Sequence, residues 1–265
     1  MEKPPVALTI AGSDSGGGAG IQADLKTFHA FGVFGTSAIT AVTAQNTLGV
    51  RAIQEIEPGI VAEQILAVAG DLQPAAAKTG MLAAAAIIEA VASALTAARL
   101  NRLVLDPVMV AKSGDRLLRE DAVDALKKTL LPLAEIVTPN LPEAAILAGR
   151  RVQTVEDMRA AAEVLLHHGV RSVLIKGGHL PGQELVDLFH DGHDWHEWRE
   201  PRIDSRHTHG TGCTLSAAIC AGLALGKTRV EAVAAARAFT RKAIVSAPGL
   251  GSGHGPLNHW APTRT

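Results

Sequence analysis

One short stretch of the chain, His209-Gly210-Thr211-Gly212-Cys213-Thr214, carries residue types that phosphate chemistry uses. It runs directly into an apolar segment of small residues, which predicts a buried helix. Glycines allow the backbone to approach a ligand closely, and the first turn of a helix presents unpaired N–H groups and a partial positive charge that bind phosphate. A thiol at that position, as in Cys213, is more easily ionised. The stretch therefore predicts a phosphate site with Cys213 beside the reacting atoms; the alternative is a tight loop that leads into a core helix with a buried thiol.

A glycine-rich segment, residues 12–20, lies between a predicted strand at residues 6–10 and a helical pattern that begins at Ile21. Strand, glycine-rich loop and helix in this order form a ligand-binding turn in α/β sheets. The segment lacks the Gly-Lys-Ser/Thr of a nucleotide P-loop, and no acidic residue closes a second strand at the distance that a dinucleotide fingerprint requires. Asp24 lies one helical turn past the glycines, so its carboxylate either faces the same cleft or is solvated on the helix surface.

Two further polar side chains stand where predicted strands end. Gln45 follows the strand at residues 36–43, and its amide offers a donor and an acceptor that match a heteroaromatic ring with amino and ring-nitrogen groups. A plain loop amide is the alternative. Asp106 ends the apolar run that begins at residue 102, a position suited to metal or phosphate chemistry, although acids also occur there as caps.

Two more candidate groups lie further along the chain. Asn140 and Glu143 are three residues apart at a predicted helix start. They could hold Mg²⁺ through water, because that ion keeps several waters in proteins, or form a capping box, and the two roles are compatible. Lys176 and Gly177 follow the predicted strand at residues 171–175 and favour a nucleotide-phosphate loop.

Predicted strands and helices alternate along the chain. Further helices are predicted at residues 58–72, 83–99, 119–130, 155–168 and 230–245, and a β-hairpin at residues 184–198. This order predicts a single α/β domain, residues 1–265, with a mostly parallel central sheet, helices on both faces and a small late β-hairpin. Because ligands bind outside the carboxyl ends of such strands, seven candidate groups should meet at one rim: Gly12, Gln45, Met81, Asp106, Asn140, Lys176 and Gly210.

The composition limits the classes of protein. Hydrophobic residues make up 47% of the chain and charged residues 19%, which predicts a sizeable core rather than disorder. A net charge of −1 without a long basic block argues against nucleic acid or an anionic membrane as a partner. Cys213 and Cys220 lie roughly 10 Å apart along one predicted helix, too far for a disulfide, and suit a reducing, cytoplasmic setting. The N-terminus lacks a signal-peptide pattern, and the apolar run at residues 83–98 is short for a membrane span.

Taken together, the motifs resemble those of hydroxymethylpyrimidine/phosphomethylpyrimidine kinases. The similar stretches keep their order and span nearly the whole chain: residues 11–24, 78–82, 106–109, 138–143, 209–216 and 253–259. The resemblance implies a ribokinase-like fold and a role in thiamine biosynthesis. Members of this family use ATP and Mg²⁺ to phosphorylate the hydroxymethyl group of 4-amino-5-hydroxymethyl-2-methylpyrimidine, and then convert the monophosphate to the diphosphate. The resemblance also implies a homodimer.

The resemblance further assigns binding roles by position. Gln45 would hold the pyrimidine edge, in a pocket whose walls would be formed by Gly12, Asp24, Val42, Met81 and Val108. Magnesium would be served by Asp106 and Glu143, and the phosphates and nucleotide by Asn140, Lys176 and Gly177.

The same resemblance gives Cys213 a place in the chemistry. Related sugar kinases have an aspartate base where this chain has Cys213, which would orient the substrate hydroxymethyl group or accept its proton. The backbone N–H groups of Gly210, Thr211 and Gly212 would stabilise charge on the transferring phosphoryl group. Residues 110–115 are the candidate for a mobile loop that closes over the site.

Other functions remain open at this point. A pyridoxal-type kinase would share the fold, the chemistry and a cysteine variant of the phosphate motif. A non-catalytic pyrimidine-binding or regulatory protein is disfavoured by the intact set of Asp106, Lys176 and Cys213. A nicotinamide dehydrogenase is disfavoured by the missing fingerprint.

Overall fold

The computed structural model describes residues 3–109, 118 and 120–261. Within these residues nine strands form one sheet: β1 (Val6–Asp14), β2 (Phe34–Asn46), β3 (Gly49–Glu55), β4 (Ala76–Thr79), β5 (Leu103–Leu105), β6 (Ala134–Val137), β7 (Val173–Ile175), β8 (Glu184–His190) and β9 (Trp195–Pro201). Their order across the sheet is β3-β2-β1-β4-β5-β6-β7-β8-β9. Six strands pair in parallel, namely β1, β2, β4, β5, β6 and β7. The edge strands β3, β8 and β9 pair antiparallel with their neighbours.

Eight α-helices are present in the described part of the chain: α1 (Gly20–Ala30), α2 (Pro58–Leu72), α3 (Ala85–Ala97), α4 (Glu120–Ala125), α5 (Leu141–Ala148), α6 (Val155–His167), α7 (Thr211–Ala224) and α8 (Arg229–Val245). The predicted helix at residues 119–130 is thus divided, because α4 continues as a π-helical turn, Leu126–Leu130. None of the described helices is long and apolar enough to span a bilayer.

The helices cover both faces of the sheet. Adjacent strand residues point to opposite faces, so Ala7 packs in a core with α1, α7 and α8, while Leu8 packs in a second core with α2 to α6. Val104 and Leu105 divide in the same way. The predicted fold, an α/β sheet with helices on both faces and a late hairpin, is confirmed. The hairpin, β8 and β9, extends the edge of the central sheet.

Local sequence sets the starts of two helices through side-chain caps. Asn140 and Glu143 form a reciprocal capping box at the start of α5, and Thr228 and Glu231 form another at α8. Each such cap stabilises a helix by about 1 kcal/mol. The capping prediction for Asn140 and Glu143 is therefore confirmed. The candidate mobile loop, residues 110–115, lies outside the described residues.

Candidate active site

The carboxyl ends of the parallel strands bring polar groups of β5, β6 and β7 together. Lys176 Nζ donates to Asp106 Oδ1 at 3.0 Å and lies 4.0 Å from Glu143 Oε2. Asn140 and Lys176 are joined by a parallel β-bridge. A Cβ atom on Gly212 would lie 3.4 Å from Lys176 Nζ. The predicted meeting of these groups at one rim is thus seen in the structure.

The first turn of α7 begins at Gly210, which has a left-handed backbone with φ of +80°. The amide of Thr211 donates to the carbonyl of Thr208, and the amide of Thr214 to that of Gly210. Within the described residues, no acceptor is found for the backbone N–H groups of Gly212 and Cys213. Two amides at a helix N-terminus, next to the Lys176 ammonium, form an arrangement that can bind a phosphoryl group.

The glycine-rich loop between β1 and α1 is organised by its own carboxylate. Asp14 Oδ1 accepts from the amide of Gly16 at 2.8 Å, and Oδ2 accepts from the amides of Gly18 at 3.1 Å and Ala19 at 2.9 Å. Burial raises the pKa of Asp14, but the hydrogen bond and charge of His209 and these backbone N–H groups outweigh it and leave the pKa below its ordinary value. These N–H groups of the loop are therefore hydrogen-bonded to Asp14 and are not available to bind an anion, whereas those at the start of α7 are.

The predicted pyrimidine pocket is partly assembled around Met81. Ala41, Met81, Ala83 and Val108 form one apolar cluster, and a Cβ atom on Gly12 would lie 3.3 Å from Met81 Sδ. Gly12, Met81 and Val108 thus share one wall. Val42 is 47% exposed on β2, and its contact with substrate stays a prediction.

Gln45 lies at the end of β2. Its Oε1 lies 3.1 Å from Thr43 Oγ1, whose single proton has a shorter contact with the carbonyl of Ser13 at 2.9 Å, and its Nε2 lies 3.5 Å from His209 Nε2. The amide thus lies beside the stretch that leads into α7, and its contact with the pyrimidine stays a prediction.

Asp24 does not line the cleft, which corrects the prediction. Its side chain is fully buried between α1 and the sheet, where Oδ2 accepts from Thr9 Oγ1 at 2.6 Å and from Lys78 Nζ at 2.8 Å. Burial opposes the charge on Lys78, but the ion pair with Asp24 holds the pKa of Lys78 above its ordinary value. Asp24 is therefore committed to neutralising a buried lysine.

Asp106 is held from three sides. Besides Lys176, Thr138 Oγ1 donates to Oδ1 at 3.1 Å and Ser216 Oγ to Oδ2 at 3.2 Å. Burial raises its pKa, but the charges and hydrogen bonds of Lys176 and its other partners outweigh this and lower it, so the carboxylate is ionised. Since Ser216 lies one turn beyond Cys213 on α7, Asp106 also ties that helix to the sheet.

Glu143 is a nearly buried carboxyl group, and its neighbours stabilise the ionised form by less than burial destabilises it. Its Oε2 accepts from the amide of Asn140 at 2.8 Å, while Asn140 Oδ1 accepts from the amide of Glu143 at 2.9 Å. Burial raises the pKa of Glu143 to about 7, although the Lys176 charge works in the opposite direction. A second cation near this group would restore its ionised form.

Cys213 is not the easily ionised thiol that its place at a helix start predicts. Burial raises its pKa to about 11, and the Lys78 ammonium offsets this only in part. Desolvation thus raises the pKa by more than the helix N-terminus can lower it, and the thiol is neutral near pH 7. Both Cys213 and Cys220 are free thiols, and Cys220 is fully buried in the core that includes α8.

Gly177 packs closely against β8 beside Lys176, and its predicted role in the nucleotide site stays a prediction. A Cβ atom there would lie 1.6 Å from the carbonyl oxygen of Val186, and its amide donates to Asp187 Oδ1 at 3.0 Å. Asp187 in turn accepts from the buried Arg237 at 2.8 Å. Gly177 therefore allows a close backbone contact, and the adjacent Lys176 provides the charge.

Sequence reasoning missed several residues that shape the site. His209 and Asp14 lie within motifs of the sequence that predict no role for them, and the apolar pattern around Ser216 predicts only a helix. Lys78 carried a usable signal, because a lysine within an apolar strand of four residues must be paired when it is buried.

An α/β fold that brings free helix amides and a lysine together at the carboxyl ends of its strands is suited to transferring a phosphoryl group to a small molecule, and this defines the class of small-molecule kinases. Residues 14–258 match the family described as phosphomethylpyrimidine kinase. The chain belongs to this family.

Individual relatives agree with the family match. The chain is 54% identical over 96% of its length to a hydroxymethylpyrimidine/phosphomethylpyrimidine kinase of Rhizobium meliloti (strain 1021), of which it covers 97%. A solved phosphomethylpyrimidine kinase of Clostridium difficile 630 superposes with a TM-score of 0.82 at 45% identity, over 91% of this chain and 99% of that one. An ADP complex of Bacillus subtilis pyridoxal kinase superposes with a TM-score of 0.91 at 39% identity, over 99% of this chain and all of the other.

Proposed function

We propose that this chain transfers the γ-phosphoryl group of ATP to the hydroxymethyl group of 4-amino-5-hydroxymethyl-2-methylpyrimidine, and then phosphorylates the monophosphate to the diphosphate. One observation carries the proposal: the amide of Gln45, the residue predicted to hold the pyrimidine, lies 3.5 Å from His209, which directly precedes the first turn of α7. An aminopyrimidine bound at Gln45 therefore has its hydroxymethyl group within reach of that turn.

The Gln45 amide suits an aminopyrimidine edge. Its nitrogen lies on the side of His209 and can donate to a ring nitrogen. The second lone pair of Oε1 can accept from an exocyclic amino group. The apolar wall formed by Gly12, Met81 and Val108 suits the face of the ring.

The chain's own residues supply positioning and charge. Phosphoryl transfer passes through a loose transition state, so electrostatic stabilisation does most of the catalysis. The amides of Gly212 and Cys213 and the Lys176 ammonium would meet the charge on the phosphoryl oxygens. A neutral Cys213 thiol can orient the substrate hydroxyl by hydrogen bonding and does not need to be a strong base.

The donor set fits magnesium that is bound mainly by ATP. No cluster of three or more metal-ligating side chains is found in the described residues, and Mg²⁺ at nucleotide sites is held by one or two carboxylates together with phosphates. Glu143, whose charge is poorly compensated, and Asp106 would hold the ion directly or through its waters. When bound, the ion would neutralise phosphate charge.

Two further expectations belong to the proposal. The chain would form a homodimer, as its resemblance to the family implies. It would work in a reducing, cytoplasmic setting, which its two free thiols suit.

Pyridoxal kinase activity is the second candidate, because the solved pyridoxal kinase superposes over the whole chain. The test is coupled measurement of ADP release by the purified protein with the hydroxymethylpyrimidine and with pyridoxal, at equal concentrations and with excess MgATP. We expect a larger kcat/KM for the pyrimidine. A larger value for pyridoxal would replace the proposal with the second candidate, and ADP release with neither substrate would contradict both.

A further inference from the structure

A histidine and an aspartate join the two loops that face each other at the rim. Because the Asp14 carboxylate can only accept, His209 Nε2 carries the proton and donates to Asp14 Oδ2 at 2.8 Å. Both side chains are largely buried, with 12% of His209 and 3% of Asp14 exposed. We infer that His209 is a positioning residue: with Asp14 it forms a clamp that holds the first turn of α7 against the glycine-rich loop and the Gln45 amide.

The Asp14 end of the clamp is rigid. Its carboxylate accepts from three backbone N–H groups of its own loop, and its own amide donates to Gln22 Oε1 at 2.9 Å. A carboxylate held by several charge-assisted hydrogen bonds has little freedom to move. Any group that binds Asp14 is therefore fixed relative to β1 and α1.

The His209 end leads directly into the phosphoryl-binding turn. The amide of His209 donates to the carbonyl of Gly255 at 3.1 Å, and a Cβ atom on Gly18 would lie 2.6 Å from His209 Cδ2. The next residue, Gly210, has its backbone against that of Gly18, so close that a Cβ atom there would lie 1.9 Å from the Gly18 carbonyl oxygen. The ring thus fills the gap between the loops where α7 begins.

The clamp also leaves the Gln45 amide available to a ligand. Since the Nε2 proton of His209 goes to Asp14, that nitrogen has no lone pair to accept from Gln45 Nε2. The two groups are neighbours at 3.5 Å without a hydrogen bond, which leaves the Gln45 N–H groups available to a ligand. His209 therefore lies between the Gln45 amide and the first turn of α7, and the clamp would fix the distance between them.

The inference rests on the proposed function, and it gives an experiment with a matched control. His196 and Asp191 form a similar pair, at 2.9 Å, in the β8–β9 hairpin. Steady-state kinetics with MgATP and the pyrimidine would compare His209→Phe, His209→Gln and His196→Phe with the wild type. Phenylalanine keeps the ring volume without the donor, whereas glutamine restores an N–H donor.

For His209→Phe we expect kcat to fall about 100-fold, because displacement of reacting groups by about 1 Å has that effect, with the KM for ATP unchanged. His209→Gln should regain a substantial part of the loss, and His196→Phe should retain wild-type kcat. A kcat of His209→Phe within about two-fold of the wild type would overturn the inference. So would a loss that glutamine does not relieve.

Hydrogen exchange on the protein without substrate gives a second readout that needs no activity. In His209→Phe, and in His209→Gln to a lesser extent, the amides of residues 14–20 and 208–214 should exchange faster than in the wild type, while those of β8 and β9 do not change. Unchanged exchange in both loops would overturn the clamp even if activity fell. If the wild type fails to phosphorylate the pyrimidine, the proposed function is lost, and the exchange result still decides whether the clamp exists.

Discussion

Replacing Gly210 by alanine tests whether the contact between the glycine-rich loop and α7 sets the reacting geometry. The matched control is Gly226→Ala. Both glycines have left-handed backbones, with φ of +80° and +81°, but a Cβ atom on Gly226 would meet nothing within 4 Å. The two substitutions therefore share the backbone penalty of about 1 kcal/mol and differ in the steric contact.

The structure gives the size of that contact. A Cβ atom on Gly210 would lie 1.9 Å from the Gly18 carbonyl oxygen and 3.2 Å from Ala19 Cα, whereas ordinary van der Waals contact begins at 3.4 Å. The loops must separate by about 1.5 Å, or the turn must change its conformation. A displacement of that size at a phosphoryl-transfer site lowers the rate by about 100-fold.

The assay is steady-state ADP release with MgATP and the hydroxymethylpyrimidine, together with thermal unfolding of each variant. We expect Gly226→Ala to keep nearly wild-type kcat with a slightly lower Tm, and Gly210→Ala to lose about 100-fold in kcat while it still folds. Equal kcat in the two folded variants would refute the idea that this backbone contact positions the phosphoryl site.

Three further predictions concern single side chains. Cys213→Ala should lower kcat by about 100-fold and leave the pyrimidine KM within about three-fold, because the thiol orients the reacting hydroxyl; equal effects on both parameters, or an unchanged kcat, would contradict this role. Gln45→Ala should weaken pyrimidine binding in isothermal titration calorimetry and leave ATP binding unchanged; unchanged pyrimidine affinity would remove Gln45 from the pocket. His259 is buried beside Thr214 Oγ1 at 3.0 Å, and burial lowers its pKa to about 4. Between pH 6.5 and pH 4 this histidine is protonated in the unfolded chain but neutral in the folded chain. The free energy of unfolding therefore decreases by about 3 kcal/mol as the pH falls from 6.5 to 4. Urea unfolding of the wild type and of His259→Gln at both ends of that range measures the effect, and parallel pH dependences would contradict it.

The fold was largely predictable because it depends on patterns that are local. Residues 58–72 are amphipathic and start with a proline, and α2 has those bounds. The alternation of apolar strands and helices requires a parallel sheet, which in turn brings the strand ends to one rim. The joining of Asp106, Asn140 and Lys176 followed from that rule.

The roles of individual side chains were less predictable, because they depend on burial and on distant partners. The position of Asp24, one turn past the glycines, predicts a carboxylate that faces the cleft. Instead it is buried in an ion pair with Lys78, which lies 54 positions away in the sequence. The thiol of Cys213 stands at a helix N-terminus, as expected, yet burial raises its pKa to about 11. The pairing of Asp14 with His209 spans 195 positions, a separation for which local sequence carries no signal.

The most direct test of the central claim is the stoichiometry of ATP use at completion. The wild-type protein is incubated with a limiting, known amount of the hydroxymethylpyrimidine and excess MgATP, and ADP and phosphorylated pyrimidine are quantified together. The account predicts two ADP per pyrimidine, with the monophosphate appearing first and the diphosphate as the final product. ADP release that stops at one equivalent would contradict the second phosphorylation, and an unmodified pyrimidine would contradict the function as a whole.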